Sequence, residues 1–376
     1  MAVKRLATGR WEASYRDAMG RERVKHCRTR SEAERWLAAV RTDIARGDYV
    51  DPRLARARFR EWADEWAATT SHLKPKTRAN YEGSLRRYVL PAFADRPVAS
   101  IQQVDVRRFV ADLVAAGAGP ATIEVARKVL RLVLGTAQGS GAIKGNPCDG
   151  VKIPRAAKAE MLFLTAEEVE ALAATIDAPY GILVRFAAYT GMRAGEIGAL
   201  RVGRLDLVRG RVEVAESVTE VEGQGLVYGS TKTYERRAVP LLPSIRDELA
   251  IHVAPRARDA DAFVFAAPNG GPLRHRNFYR RQFKPALKAA GLPAALRFHD
   301  LRHTCASLLI ALGAHPKAIQ ERLGHSSITV TLDRYGHLFP QLDEALTGRL
   351  DELRLAALRS VPATSPPTAD VVRFPR

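Results

Sequence analysis

The chain begins with alternation. Trp11, Ala13 and Tyr15 interleave with Glu12, Ser14 and Arg16, the period of two that turns one face of a strand to a core and the other to water. A polar turn over residues 17–20 leads to a second predicted strand over residues 21–28. Ser31 and Glu34 then stand at capping-box spacing and predict a helix to about Arg46. From residue 57 the period is helical. Phe59, Trp62 and Trp66 start an amphipathic helix, and Tyr81, Leu85 and Tyr88 carry the next, over residues 77–89. Residues 101–115 and 122–137 continue the pattern, parted by Gly117, Gly119 and Pro120. Asn146, Pro147 and the basic stretch 151–158 interrupt it and predict a linker. Past Leu164 the pattern is mixed. Thr165 and Glu168 cap a further helix, residues 211–221 alternate as a strand, 222–225 turn, and 226–241 return. Helical periods then dominate from Phe278 to Arg359.

This order predicts several domains. They are a small α/β N-terminal arm over residues 1–50, an all-α bundle over 57–150 and a mixed, mainly α domain over 160–340. A C-terminal helix over 341–359 follows, with Leu342, Leu346, Leu350, Leu353 and Ala357 in one apolar stripe. The tail, 360–376, holds four prolines and is predicted to be disordered.

Charge narrows the partner. The 376 residues hold 59 Lys and Arg against 41 Asp and Glu, a net of +18. Residues 1–60 alone carry 16 against 8, nearly half of that excess. Such a balance suits a polyanion, whose phosphates release counterions on binding. A solubility device or a ribosome-associated protein is the blander alternative. Arg86, Arg87, Arg107, Arg108, Arg127, Lys128 and Arg131 stud the predicted bundle. Each alone fits a solvated face; together they suit a bundle lying on duplex DNA. The three cysteines, Cys27, Cys148 and Cys305, form no C-x-x-C pair, which argues against a disulfide framework or thiolate zinc site. The N-terminus lacks the apolar core of a signal peptide, and no apolar run approaches a membrane span. The expectation is a cytoplasmic protein that meets no membrane.

Four segments offer chemistry: TGMRAGEI at 190–197, STKT at 230–233, HDLRH at 299–303, and LGH with RYGH between 323 and 337. They supply arginines, a lysine, histidines and a tyrosine, without the carboxylate cluster that magnesium nucleases use. That set suits phosphoryl transfer without a metal. Arginines hold phosphate oxygens by charge-assisted bonds, and preorganised donors meet the charge that builds there in the transition state. A tyrosine hydroxyl can attack and retain the phosphate as an ester. Duller readings exist for each. Arg193 and Glu196 could be a surface pair at i and i+3. His299 and His303, at i and i+4, could ligate zinc. Lys232 could be an exposed turn residue, and Tyr335 a core tyrosine.

The order of these segments resembles the tyrosine recombinase, or phage integrase, family. Its catalytic pattern runs Arg, Lys, His-x-x-Arg, His or Trp, then Tyr, and here Arg193, Lys232, His299 with Arg302, His325 and Tyr335 fill it. The resemblance is strong over about 160–340 and visible over 57–150, through Thr77, Tyr81 and the Asn146–Pro147 pair. It implies a helical, SAM-like core-binding domain, and a catalytic domain of the tyrosine recombinase type. The two would clamp the duplex from opposite sides. It also implies that Tyr335 attacks the scissile phosphate to give a 3′-phosphotyrosine and a free 5′-hydroxyl. Arg193, Arg302 and His325 would hold the non-bridging oxygens, and Lys232 would protonate the leaving oxygen. His299 would assist proton transfer at Tyr335, with Glu196 orienting its neighbours. No cofactor is implied, because the ester keeps the energy of the broken bond. The implied partners are double-stranded attachment-site DNA and a homotetramer, with room for a directionality factor and a host architectural protein. The expected function is integration of a mobile element or prophage, with excision as the reverse reaction. A chromosome-dimer resolvase is the nearest rival, and the extra arm argues against it. A type IB topoisomerase shares the chemistry. A DNA-binding regulator without activity is opposed by the complete residue set.

Overall fold

The computed structural model describes residues 1–17, 20–47, 49–154, 160–230, 236–339 and 342–360. They divide into two bodies, Met1–Ala159 with Glu220–Val227, and Glu160–Thr219 with Tyr228–Arg376.

In the first body the alternating segment becomes the middle of an antiparallel sheet, β1 (Ala2–Arg5), β2 (Trp11–Arg16) and β3 (Glu22–Cys27). Ala13 pairs with Val3 on one side and Lys25 on the other. Ala13, Tyr15 and Cys27 are buried in one cluster with Ala33, Leu37 and Val40 of α1 (Arg30–Arg46). The strand β1 escaped the sequence reading, since AVKR alternates too briefly to register. The helix cap lies two residues earlier than predicted. Thr29 Oγ1 accepts from the Glu32 N–H, and the Glu32 carboxylate accepts from the Arg28 N–H at 3.0 Å. Thr29–Glu32 and Ser31–Glu34 satisfy the same spacing rule, and the turn after β3 selects the first.

A second core in this body joins α2 (Phe59–Ala68), α3 (Pro75–Ser84), α4 (Gln103–Ala115) and α5 (Pro120–Gly139). The helix α3 runs on through a π-turn, Leu85–Val89, where the Leu90 N–H donates to Leu85 O. Pro91 follows immediately; its ring cannot sit over the carbonyl four residues back, so the ladder widens by one residue. The predicted linker does not start at Asn146. That side chain is buried, donates to Arg131 O at 2.9 Å and accepts from the Cys148 N–H at 3.1 Å, so the chain through Val151 closes the bundle. A buried amide with both ends satisfied is a fold element, not a spacer.

The second body opens with α6 (Ala166–Ala174), capped reciprocally by Thr165 and Glu168 as predicted. Next come α7 (Gly181–Thr190) and α8 (Ala194–Ala199). The long predicted strand and its return are each divided. Leu205–Asp206 (β4), Arg211–Val214 (β5) and Arg237–Pro240 (β8) make one antiparallel sheet, whereas Glu216–Val221 (β6) and Gly225–Ser230 (β7) pair separately. Lys232 falls in 231–235, between β7 and β8, and lies outside the described residues, as does the tail from 361. The C-terminal third is helical: α9 (Pro243–Val253), α10 (Asp300–Ala311), α11 (Pro316–Leu323), α12 (Ile328–Tyr335) and α13 (Leu342–Ser360). Phe186, Phe265, Phe283 and Phe298 centre the main core, and Cys305, Ile319, Leu323 and Tyr335 form a smaller one. Among the described residues no helix is long and apolar enough to cross a membrane.

Candidate active site

The helix α10 is enclosed. Every residue from 300 to 306 is buried, including Asp300, Arg302, His303 and Thr304. Polar groups held out of water need partners, or each costs several kcal/mol, roughly 1–3 by mutational measure. The partners are specific. Asp300 accepts from the Arg297 guanidinium at 2.7 Å. Thr304 donates to Asp300 O and accepts from the Leu164 N–H. Arg302 donates to Gly191 O at 2.7 Å, and His303 Nδ1 meets the Tyr335 hydroxyl at 2.7 Å.

Two glycines set the arginines. Gly191 ends α7 at φ 67°, where an added Cβ would lie 2.4 Å from Leu323 and 3.1 Å from the Cys305 sulfur. Gly324 ends α11 at φ 64°, and a Cβ there would lie 2.9 Å from the Arg237 guanidinium. Both positions need a left-handed backbone and no side chain. Their freed carbonyls point inward: Gly191 O accepts from Arg302, and Gly324 O accepts from Arg193 Nη2 at 2.9 Å.

Arg193 precedes α8 and Glu196 lies in its first turn. The predicted i, i+3 pair forms at 2.8 Å, but it is not a surface pair, because Glu196 is 2% exposed. Arg237, at the start of β8, grips the same carboxylate with two bonds of 3.0 and 2.7 Å. Burial would raise the Glu196 carboxyl, yet the Arg237 hydrogen bond and charge, then Arg193, hold it below the ordinary carboxylate range. Removing one partner from such a buried pair costs about 3–5 kcal/mol. Arg302 is pushed down to about 9 by burial and by the charge of Arg193, with Glu196 resisting and Arg237 adding to the repulsion. Three guanidinium groups around one carboxylate leave a buried excess of positive charge, which a bound anion would relieve.

The histidines line the other side. His325 follows Gly324, and its Nδ1 meets Thr331 Oγ1 at 2.8 Å. Its Nε2 is buried and has no hydrogen-bond partner among the described residues. Burial first, then Arg302 and Arg193, push it down to about 3, so the ring is neutral at pH 7. The Tyr335 ring stacks on it, with centroids 6.3 Å apart and planes at 16°. His299 lies edge-on to His303 at 5.1 Å, and both are pushed down to about 4, mainly by burial. Tyr335 is fully buried at the end of α12, and burial raises its phenol against the opposing charges of Arg302 and Arg334.

Arg193, Glu196, Arg302, His325 and Tyr335 thus come together, with His299 behind His303. Arg237 and Thr331 stand in no sequence motif, and His303 enters from sequence only as a zinc alternative. In the bundle, Arg86, Arg87, Arg107, Arg108 and Lys128 are exposed. Arg127 is half-buried and donates to Cys148 O, so it fastens the closing loop instead of facing solvent.

Two family models match the chain: the phage integrase family over residues 162–341 and the phage integrase central domain over 59–153. A prophage phiRv2 integrase of Mycobacterium tuberculosis is 32% identical, covering 93% of this chain and 95% of its own length. The ICEBs1 integrase of Bacillus subtilis is 27% identical, over 94% of this chain and all of its own. In fold, the chain is similar to a Tn1549 transposon integrase solved with a circular intermediate DNA. That match has a TM-score of 0.68, 20% identity, and coverage of 78% of this chain and 99% of that one. A lambda integrase tetramer bound to a Holliday junction gives a TM-score of 0.55 at 20% identity, over 87% of this chain and 96% of that one. With near full-length similarity to the mycobacterial integrase and both family models in register, the chain belongs to the phage integrase family, the tyrosine site-specific recombinases.

Proposed function

We propose that this recombinase joins the DNA of a mobile element to a second duplex through a 3′-phosphotyrosine on Tyr335, and that the same chemistry serves excision. The observation that carries the reading is the cation-rich cradle of half-buried Arg193 and buried Arg302, whose charge acts on the Tyr335 phenol, with His325 Nε2 left without a partner among the described residues. A scissile phosphate seated there would take its non-bridging oxygens to the two arginines and to His325. Glu196 and Arg237 position Arg193. Lys232, on the β7–β8 connection, is the proton donor to the leaving 5′ oxygen. His299 assists proton movement at Tyr335 from behind His303. No metal enters this scheme, since the arginines meet the developing charge.

Double-stranded attachment-site DNA is the partner in this reading, which the integrases solved with a circular intermediate DNA and with a core site support. In our reading the bundle carries the core-site contacts through Arg86, Arg87, Arg107, Arg108 and Lys128. The small sheet-and-helix module at the N-terminus binds more distant arm sites. Strand exchange on two duplexes calls for four protomers, the state in which lambda integrase was solved on a Holliday junction. A directionality factor and a host architectural protein fit the same scheme.

The test is a nicked suicide substrate in which the covalent product accumulates. The unaltered protein should leave a peptide containing Tyr335 on the DNA 3′ end, in excess EDTA as well as without it. Tyr335→Phe should bind the site and form no adduct. An adduct on the Phe variant removes Tyr335 from the role, and chelator-sensitive cleavage restored by zinc points to the His299–His303 pair.

A further inference from the structure

We propose that His303, not His299, is the base that takes the proton from Tyr335 as the tyrosine attacks phosphorus. This rests on the reading of Tyr335 as nucleophile and names the group that activates it.

The geometry is direct. His303 Nδ1 lies 2.7 Å from the Tyr335 oxygen, within the reach a general base needs. His299 stands one helical turn earlier. Its ring is edge-on to His303 at 5.1 Å, and the tyrosine ring meets His303 on the other side at 5.7 Å. His303 therefore sits between His299 and the phenol. The hydroxyl is buried, so bulk water is not at hand to take the proton.

The charges around His303 favour a neutral ring ready to accept. On its own helix it faces His299, Asp300 and Arg302; Arg297 comes from the preceding loop, and Arg334 and Tyr335 from α12. His325 feels it from the loop after α11. Burial and the three arginines outweigh Asp300, so the imidazole is free of its second proton at pH 7. Asp300 is also bound to the Arg297 guanidinium through two nitrogens. It can temper the charge on His303 after proton transfer without competing for the proton. The phenol itself is raised by burial and is protonated at pH 7, so attack requires that its proton leave.

The step balances. The Tyr335 oxygen forms its bond to phosphorus while its O–H bond breaks, and the proton moves to His303 Nδ1. The bond from phosphorus to the 5′ oxygen breaks, and that oxygen takes a proton from Lys232 in the scheme above. Religation by a 5′-hydroxyl runs both transfers backwards, with the imidazolium returning the proton to the phenolate.

Two measurements test this. The first uses the native protein: histidine 15N NMR should show His303 Nδ1 as the unprotonated, acceptor nitrogen. A protonated Nδ1, donating to the tyrosine oxygen, overturns the proposal. The second is single-turnover cleavage of the suicide substrate between pH 6 and 9. The unaltered protein should be level across this range. His303→Asn places a polar atom where Nδ1 was but cannot take a proton, so its rate should fall about a hundredfold or more at pH 7. That rate should then climb with pH, as a growing fraction of the phenol is ionised before attack and needs no base. Should that variant unfold, His303→Gln is read the same way. An undiminished rate, or a loss that stays level with pH, overturns the assignment, as does His299→Asn acquiring the climbing profile instead. If peptide mapping puts the phosphate on a residue other than Tyr335, the nucleophile reading itself has failed. An adduct at Tyr335 with His303→Asn unimpaired sinks only this inference.

Discussion

Which nitrogen of His325 carries its proton decides what that residue can offer a phosphate. Thr331 sits one turn before Tyr335 on α12, fully buried, with His325 Nδ1 as the partner of its hydroxyl. If the hydroxyl donates to Nδ1, the ring proton is held on Nε2, the buried atom without a partner among the described residues, and Nε2–H becomes a donor aimed at an anion. Thr331→Val keeps the shape and removes the hydroxyl. It should slow cleavage about tenfold or more, as loss of a preorganised donor does, while Thr331→Ser stays near the unaltered rate. In 15N NMR the Val variant should show His325 redistributed between tautomers. An unchanged tautomer alongside slowed cleavage would mean that Thr331 acts only by packing. These contacts also mark what the sequence can tell. Arg193, Arg302, His325 and Tyr335 are legible because each sits in a short motif of fixed spacing. Arg237 and His303 are not, because their partners, Glu196 and Tyr335, lie 41 and 32 residues away. No local period reports such a contact.

At the scale of elements, helices were legible wherever one apolar face persisted over several turns, as in α2, α4 and α5. Strands were less so: alternation runs through residues 211–221, but two different partners divide that stretch into β5 and β6. A subtler device appears twice. Leu85–Val89 and Tyr279–Phe283 are both π-turns, and each is followed, one residue later, by a proline, Pro91 and Pro285. In both cases the widened turn carries two exposed arginines, Arg86 with Arg87 and Arg280 with Arg281. A π-turn rotates the residues before it relative to those after it, which changes the direction in which the paired side chains are aimed. Arg280 and Arg281 were not picked out by sequence, since nothing in RRQ departs from a solvated face. If they contact the DNA backbone, Arg280→Gln with Arg281→Gln should weaken binding to every sequence alike. The slope of log affinity against log salt should then fall by about two counterions. The same pair of changes at Arg86 and Arg87 should do likewise. A slope unaltered by the 280/281 changes would leave those arginines as surface residues.

At the scale of the whole molecule, α13 stands out by its exposure. All of its described side chains are exposed, among them Leu350 at 64% and Leu353 at 67%. These two lie on the apolar stripe that sequence analysis traced from Leu342 to Ala357. A helix of 19 residues gains little stability in water without packing, and each leucine that finds cover contributes roughly 1.5–3 kcal/mol. The helix starts seven residues after Tyr335, the proposed nucleophile. A neighbouring protomer that covers it would therefore hold the end of the segment carrying Tyr335. That is where four protomers on two duplexes need a connection, if only some are to cut at once. Changing Leu350 and Leu353 to Asp removes the stripe without emptying any core of the free chain. The melting temperature of the free protein and its binding to a single core site should therefore be unaltered. The complex with paired duplexes, read by native gel, should weaken at least about tenfold, the equivalent of 1.4 kcal/mol. If the doubly substituted protein instead melts several degrees early without DNA, the stripe packs on its own catalytic domain. The coupling between protomers must then be sought elsewhere than in α13.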